Sequence, residues 1–149
     1  MLILMACGGG ISDEQRKQMR EASEQQAIVK VTESEILDAA FAKGRGVLAE
    51  LKKTNSDTTK IEQQQAVAIH WLGADATHGL EIEQQLIEAY LNSLLSGSAL
   101  QDNVQKIGSD SLLYTAPIVL TRADSSIEIK GTWNVWMSKK QLILAMHKK

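Results

Sequence analysis

Few side chains in this sequence stand at spacings that chemistry uses. Asp75, His78 and Glu81 lie three apart and could share one helix face. A carboxylate, an imidazole and a second carboxylate suit a divalent metal, but catalytic zinc sites carry more recognisable ligand spacings. Gly79 would interrupt a helix there, so the three read more simply as a solvated joint, and no metal is expected. His70 stands beside Trp71, between Ile69 and Leu72, in an apolar stretch. Haem held without covalent bonds needs axial side chains in an apolar pocket. On one helix, the interval from His70 to His78 rises about 12 Å, too far for both to hold one iron from the same side. His70 therefore reads as a packed or surface histidine. Covalent haem needs two thiols and a histidine in fixed order, and the chain has one cysteine, Cys7. No nucleophile elbow and no catalytic Cys–His pair is present, and turn chemistry accounts for Ser109, Asp110 and Ser111. The expectation is a protein that is not an enzyme and carries no cofactor.

Cys7 has a chemistry of its own. Leu4, Met5 and Ala6 precede it, and Gly8, Gly9 and Gly10 follow. This order resembles a lipobox, the cleavage signature of bacterial lipoproteins, with small Ala6 before the cut. Cys7 would then be lipidated, its thiol taking a diacylglyceryl group and its new amino terminus an acyl chain. Stable anchoring takes more than one chain, and glycines make a flexible leash. Met1 to Ala6 holds no Lys or Arg and is shorter than the apolar region of a signal peptide, about 7–15 residues, so it reads as a truncated signal.

The elements that must position the remaining side chains follow from periodicity. Net charge is -2 over 149 residues, with 44% hydrophobic and 23% charged side chains. That composition is ordinary for a single globular domain and offers no basic field for nucleic acid. Ser12 and Gln15 have capping-box spacing ahead of a very polar helix, Ser12 to Lys30, expected to stand out as a stalk. Thr32 and Glu35 repeat that spacing before the stripe Ile36, Leu37, Ala40, Phe41, Gly44, Val47, Leu48 and Leu51. At Gly44 and Gly46, close helix–sheet packing is expected. A third helix is predicted from about Lys60 to Ala76 and a fourth from Glu81 to Leu95, with Gly79 as the joint and Gly97 ending the fourth. Then the period changes to two. SLLYTAPIVLT and IEIKGTWNVWMS, joined by TRADSS, predict a half-buried antiparallel hairpin. Pro117 cannot donate a ladder bond, so its strand should be at an edge or bulged. Ile129, Trp133 and Val135 should share the buried face, against the helix that carries Phe41 and Leu48. Trp136 falls on the polar face, where something must cover it: a C-terminal helix capped by Ser138, a ligand or a protein partner.

Two segments, EAYLNSLLSGSALQDNVQKIGSDSLLYTAPI (88–118) and IKGTWNVWMSKKQLIL (129–144), carry a likeness. They resemble a family of small periplasmic PAS-like domains, many of them c-type-haem-binding. The resemblance implies an α+β, PAS-like fold with helices packed on a small antiparallel sheet. It does not bring haem, because the CxxCH that such members place between the two strands is replaced here by TRADSS.

The chain is thus expected to divide into a truncated signal with a Gly tether (1–11), a polar stalk helix (12–32) and a PAS-like domain (33–149). The expected function is that of a lipoprotein of the bacterial cell envelope, anchored to the membrane through acylated Cys7 and facing the periplasm or the cell surface. It would act as a binding or interaction module, an accessory subunit of a membrane complex, with a protein partner and with Trp136 as a candidate contact. The alternative is a haem- or redox-linked sensor with a non-covalent ligand.

Overall fold

The structure is a computed structural model that describes residues 12–54, 57–76 and 78–147. Cys7, Ala6 and the glycine tether lie outside the described residues, as does Thr77.

Both capping boxes form. Ser12 accepts from the Gln15 amide ahead of α1 (Asp13–Lys30), and Thr32 accepts from the Glu35 amide ahead of α2 (Glu33–Lys53). Each cap satisfies donors that a first helical turn leaves without partners. Residues 12–22 are exposed, α1 runs beside the C-terminal helix, and Val31 packs on the core.

The stripe of α2 buries Ile36, Ala40, Gly44, Val47 and Leu51. Gly44 sits where the helix meets the sheet: a Cβ there would lie 2.2 Å from Cγ of Tyr114. Only the missing side chain admits the ring. Gly46 faces open space, so close packing explains one of the two glycines.

The third predicted helix is half a helix. α3 (Thr58–Gln65) stops at Ala66, which adopts the left-handed φ of 54°, and residues Ala68–Gly73 form strand β1 instead. Ile69 and Leu72 are both buried, on opposite faces of the sheet, so the segment lacks the apolar–polar alternation that would have marked it. Pairing with the strand at Ala68–Trp136 through Gly73–Gly131 overrides local propensity.

Gly79, at φ +119°, turns the chain into α4 (Glu81–Leu95), and Gly97, at φ 75°, follows its end. A short edge strand that the sequence did not announce, β2 (Asn103–Ile107), leads into the expected hairpin of β3 (Ser111–Thr121) and β4 (Ile127–Ser138). Ser138 caps α5 (Lys139–Met146). The strands form one antiparallel sheet in the order β1-β4-β3-β2. The fold is α+β, as expected.

Helices cover both faces of this sheet. α2, α3 and α5 close one face around Tyr114, Val135, Met137 and Ile69. α4 lies on the other, over Leu113, Thr115, Asn134 and Trp136. β2 pairs only as far as Thr115, so β3 is unpaired on that side at Pro117, and a bulge follows between Ile118 and Val119. The proline therefore withholds no ladder bond from β2. The bulge also corrects one expectation. Val135 joins the core against α2 and Trp133 packs on it half-buried, whereas Ile129 is buried outside that core, because the register shift breaks the alternation between them.

Candidate functional site

Beneath α4 the sheet carries a polar seam. Thr115 donates its hydroxyl to Asn134 Oδ1 at 3.0 Å, and Asn134 Nδ2 donates to Thr132 at 3.2 Å, all three fully buried. Among the described residues no buried side-chain nitrogen or oxygen lacks a partner. The seam is therefore satisfied structure, and it fixes the register of β3 against β4.

At the β1 end of the seam is a carboxylate. Glu83 is only 2% exposed, and it lies on the helical stripe of Leu86, Ile87 and Tyr90. Its Oε2 accepts from Trp136 Nε1 at 2.8 Å and lies 2.7 Å from His70 Nδ1; its Oε1 accepts from the Leu80 amide at 3.3 Å. Trp136 and Leu80 are obligate donors, one to each oxygen, which suits an ionised carboxylate. An ionised carboxylate only accepts, so His70 faces it with a donating Nδ1–H. The His70 side chain is 44% exposed and opens onto a recess of about 360 Å³ shared with Trp71, Leu72, His78, Gly79 and Leu80.

The α2 side holds a second cluster. Arg45 forks onto Asp102 with bonds of 2.8 and 3.1 Å, and the Tyr114 hydroxyl donates to the same carboxylate at 2.9 Å. The bond from Arg45, helped by the Tyr114 hydroxyl, holds the Asp102 carboxyl below its usual range. Burial, then the bond to Asp102, pushes the Tyr114 phenol up; burial pushes Tyr90 up to about 12. Tyr90 donates to the Gln101 carbonyl at 2.6 Å. Arg45, Asp102 and Tyr114 point at one another, while the Tyr90 hydroxyl goes to a backbone carbonyl. The cluster ties α2, β3 and the entry to β2 together.

Of the residues singled out from sequence, Trp136 is half-buried, and its cover comes from Glu83 of α4 rather than from α5. Asp75, His78 and Glu81 do not share a helix face: a turn after β1, the loop before α4 and the first residue of α4 hold them separately. Among the described residues no group of three metal-ligating side chains converges. His70 and His78, set apart by the assumed helix, instead line one recess. Glu83 and Asp102 were not anticipated. An acid at position 83, on the same stripe as three buried apolar residues, was the available signal for the first. Asp102 carried none, since its partners Arg45 and Tyr114 are distant in sequence.

A third feature is apolar. Leu95 (86% exposed), Val119 (46%) and Ile127 (51%) rim an open recess of about 740 Å³ where the end of α4 meets the β3–β4 hairpin. Comparison with protein-family models, with curated proteins and with solved structures finds no match to this chain.

Proposed function

We propose that the chain is a lipid-anchored interaction module of the bacterial cell envelope, not an enzyme, with a PAS-like α+β domain carried behind an acylated Cys7. The observation that carries the interaction reading is the apolar end of the domain. Leu95, Val119 and Ile127 are large, exposed and adjacent around one recess, and contiguous apolar surface of this kind marks sites of protein contact. The polar clusters are internally satisfied and hold the scaffold. The anchor rests on the order of apolar run, Ala6, Cys7 and Gly8 to Gly10 in the sequence. The likeness to periplasmic PAS-like domains rests on the two segments that end in LLYTAPI and KKQLIL.

The test is co-purification from detergent-solubilised membranes under native mass spectrometry. The expected result is a complex of fixed stoichiometry with one envelope protein. It should dissociate in Leu95→Asp/Ile127→Asp, a double variant that folds normally because both side chains are already exposed. A Soret band or a stoichiometric small molecule on the purified chain, with no partner, would overturn the interaction reading in favour of a sensor.

A further inference from the structure

Strand β1 is an outer strand of the sheet, bonded to β4 on one side only. Backbone groups along a strand alternate between its two edges. The Ala74 amide donates to the Lys130 carbonyl at 3.1 Å, on the β4 side, so Ile69, Trp71 and Gly73 turn their backbone groups outward. The Ile69 amide shows the same phase, since it donates to Glu62 Oε2 at 3.2 Å. At the other end, the Gly73 carbonyl accepts from the Ala76 amide at 3.0 Å. Between these two bonds stand, in order, the Ile69 carbonyl, the Trp71 amide, the Trp71 carbonyl and the Gly73 amide. Among the described residues no hydrogen bond engages any of them on the outer edge. The edge thus presents a row of partial charges: acceptor, donor, acceptor, donor. Lysine, proline and bulges are the usual guards of a strand edge, and β1 carries none of them. Trp71 (38% exposed) lies on this edge, and Leu80 (50% exposed) borders the recess beside it with His70 and Leu72.

We propose that the outer edge of β1 docks an extended, apolar segment of a protein partner, added to the sheet as a parallel strand. In a parallel pair, one residue of the added strand donates to the carbonyl of residue i and accepts from the amide of residue i+2. One added residue then bridges Ile69 and Trp71, and the next but one bridges Trp71 and Gly73, so the whole charge row is matched. The groups already bonded, the Ile69 amide and the Gly73 carbonyl, lie just beyond its ends. An antiparallel strand exchanges both bonds with one residue at a time, and of the three only Trp71 offers both. A second copy of the chain related by a two-fold axis pairs antiparallel, and it meets the Glu62 carboxylate and the turn at Gly73–Ala76. The two bridging residues stand level with His70 and Leu72, beside the recess of about 360 Å³, and the residue between them stands level with Trp71. Exposed Leu80 and Trp71 make apolar side chains the fitting ones. Main-chain bonds supply affinity and the alternating side chains supply specificity. The proposal rests on the reading of the chain as an interaction module and gives it a second surface, apart from the recess at Leu95.

The experiment selects a phage-displayed library of random linear peptides on the full chain with Cys7→Ser, and the selected peptide is then synthesised. It should carry a short apolar run. In the complex, amide exchange at Trp71 and Gly73 should slow at least about tenfold, while His70 and Leu72, already bonded to β4, stay unchanged. N-methylation should abolish binding at two peptide residues and be tolerated at the residue between them, because only alternate residues face β1. A spin label on the peptide's amino end should broaden the signals of Val67 and not those of Asp75; the reverse would overturn the parallel assignment. Leu80→Ser should weaken binding about fivefold to tenfold, since it removes apolar surface and leaves a residue suited to the N-cap of α4. Leu95→Asp/Ile127→Asp should bind the peptide as the wild type does, so the two surfaces fail separately. A native complex that depends on Leu95 and Ile127, with no peptide selected, overturns the β1 edge alone. A selected peptide with helical spacing of its apolar residues, or unchanged exchange at Trp71, overturns the proposal as well. A dimer of the chain that Leu80→Ser dissolves would also overturn it and assign the edge to a second copy.

Discussion

Two glycines two residues apart on α2, alike in kind but not in surroundings, separate packing from propensity. Gly44 faces the Tyr114 ring at a distance no Cβ can share, and the atoms met are the rigid ring carbons nearest the backbone. Gly44→Ala should destabilise the fold by about 1–3 kcal/mol, overpacking outweighing the gain in helix propensity. Gly46→Ala, in open space on the same helix, should stabilise by about 0.5–1 kcal/mol. Urea unfolding of the two variants should therefore move the midpoint in opposite directions. Glu83 sets a third test. Glu83→Ala leaves the Trp136 indole and the Leu80 amide without their acceptor, and loss of a buried partner costs about 1–3 kcal/mol. Asp102 gives the domain a pH dependence. Its carboxyl is depressed by Arg45, so the folded chain holds that proton more weakly than the unfolded chain. The stabilisation is full above the ordinary carboxylate range and disappears as pH falls through the depressed value. Unfolding midpoints measured from neutral to acid pH should fall more steeply in the wild type than in Asp102→Asn. Glu33, bonded to Lys106, and Asp124, bonded to Ser126, are depressed as well and leave a residual slope.

At the scale of elements, what could be read in advance was what local sequence controls. Capping boxes at Ser12 and Thr32, the 3.6-residue stripe of α2 and the turn between β3 and β4 depend on residues a few positions apart, and all form. β1 depended on a partner more than fifty residues away, and its apolar side chains go to both faces, so its pattern mimicked a helix. The same non-local cause hid the polar sites. Glu83 meets Trp136 and Arg45 meets Asp102 only after the sheet and its covering helices assemble. The caps differ in what they hold. Thr32→Ala should cost about 1 kcal/mol, since α2 carries core residues. Ser12→Ala, at the exposed start of α1, should leave global unfolding within about 0.5 kcal/mol of wild type. The bulge at Ile118/Val119 makes a further contrast. Ile129→Ala should cost about 2–5 kcal/mol although Ile129 lies outside the main core, and exposed Lys130→Ala under about 0.5 kcal/mol. Equal losses at the two positions would show the strand assignment of that region to be wrong.

For the molecule as a whole, the sheet is closed by helices on both sides, its polar seam is satisfied, and what remains outward is the polar α1, the histidine recess and the apolar end near Leu95. In the proposed function the domain works by being held against a partner, and the proposed holding device is Cys7. The most direct measurement is the intact mass of the chain isolated from the membranes of its own cells, together with its partition between detergent and water. The account predicts a mature chain that begins at Cys7, carries a diacylglyceryl thioether and an acylated amine, and enters the detergent phase, with Cys7→Ser left in the aqueous phase. A chain that retains Met1, carries a free thiol at Cys7 and stays in the aqueous phase would contradict it.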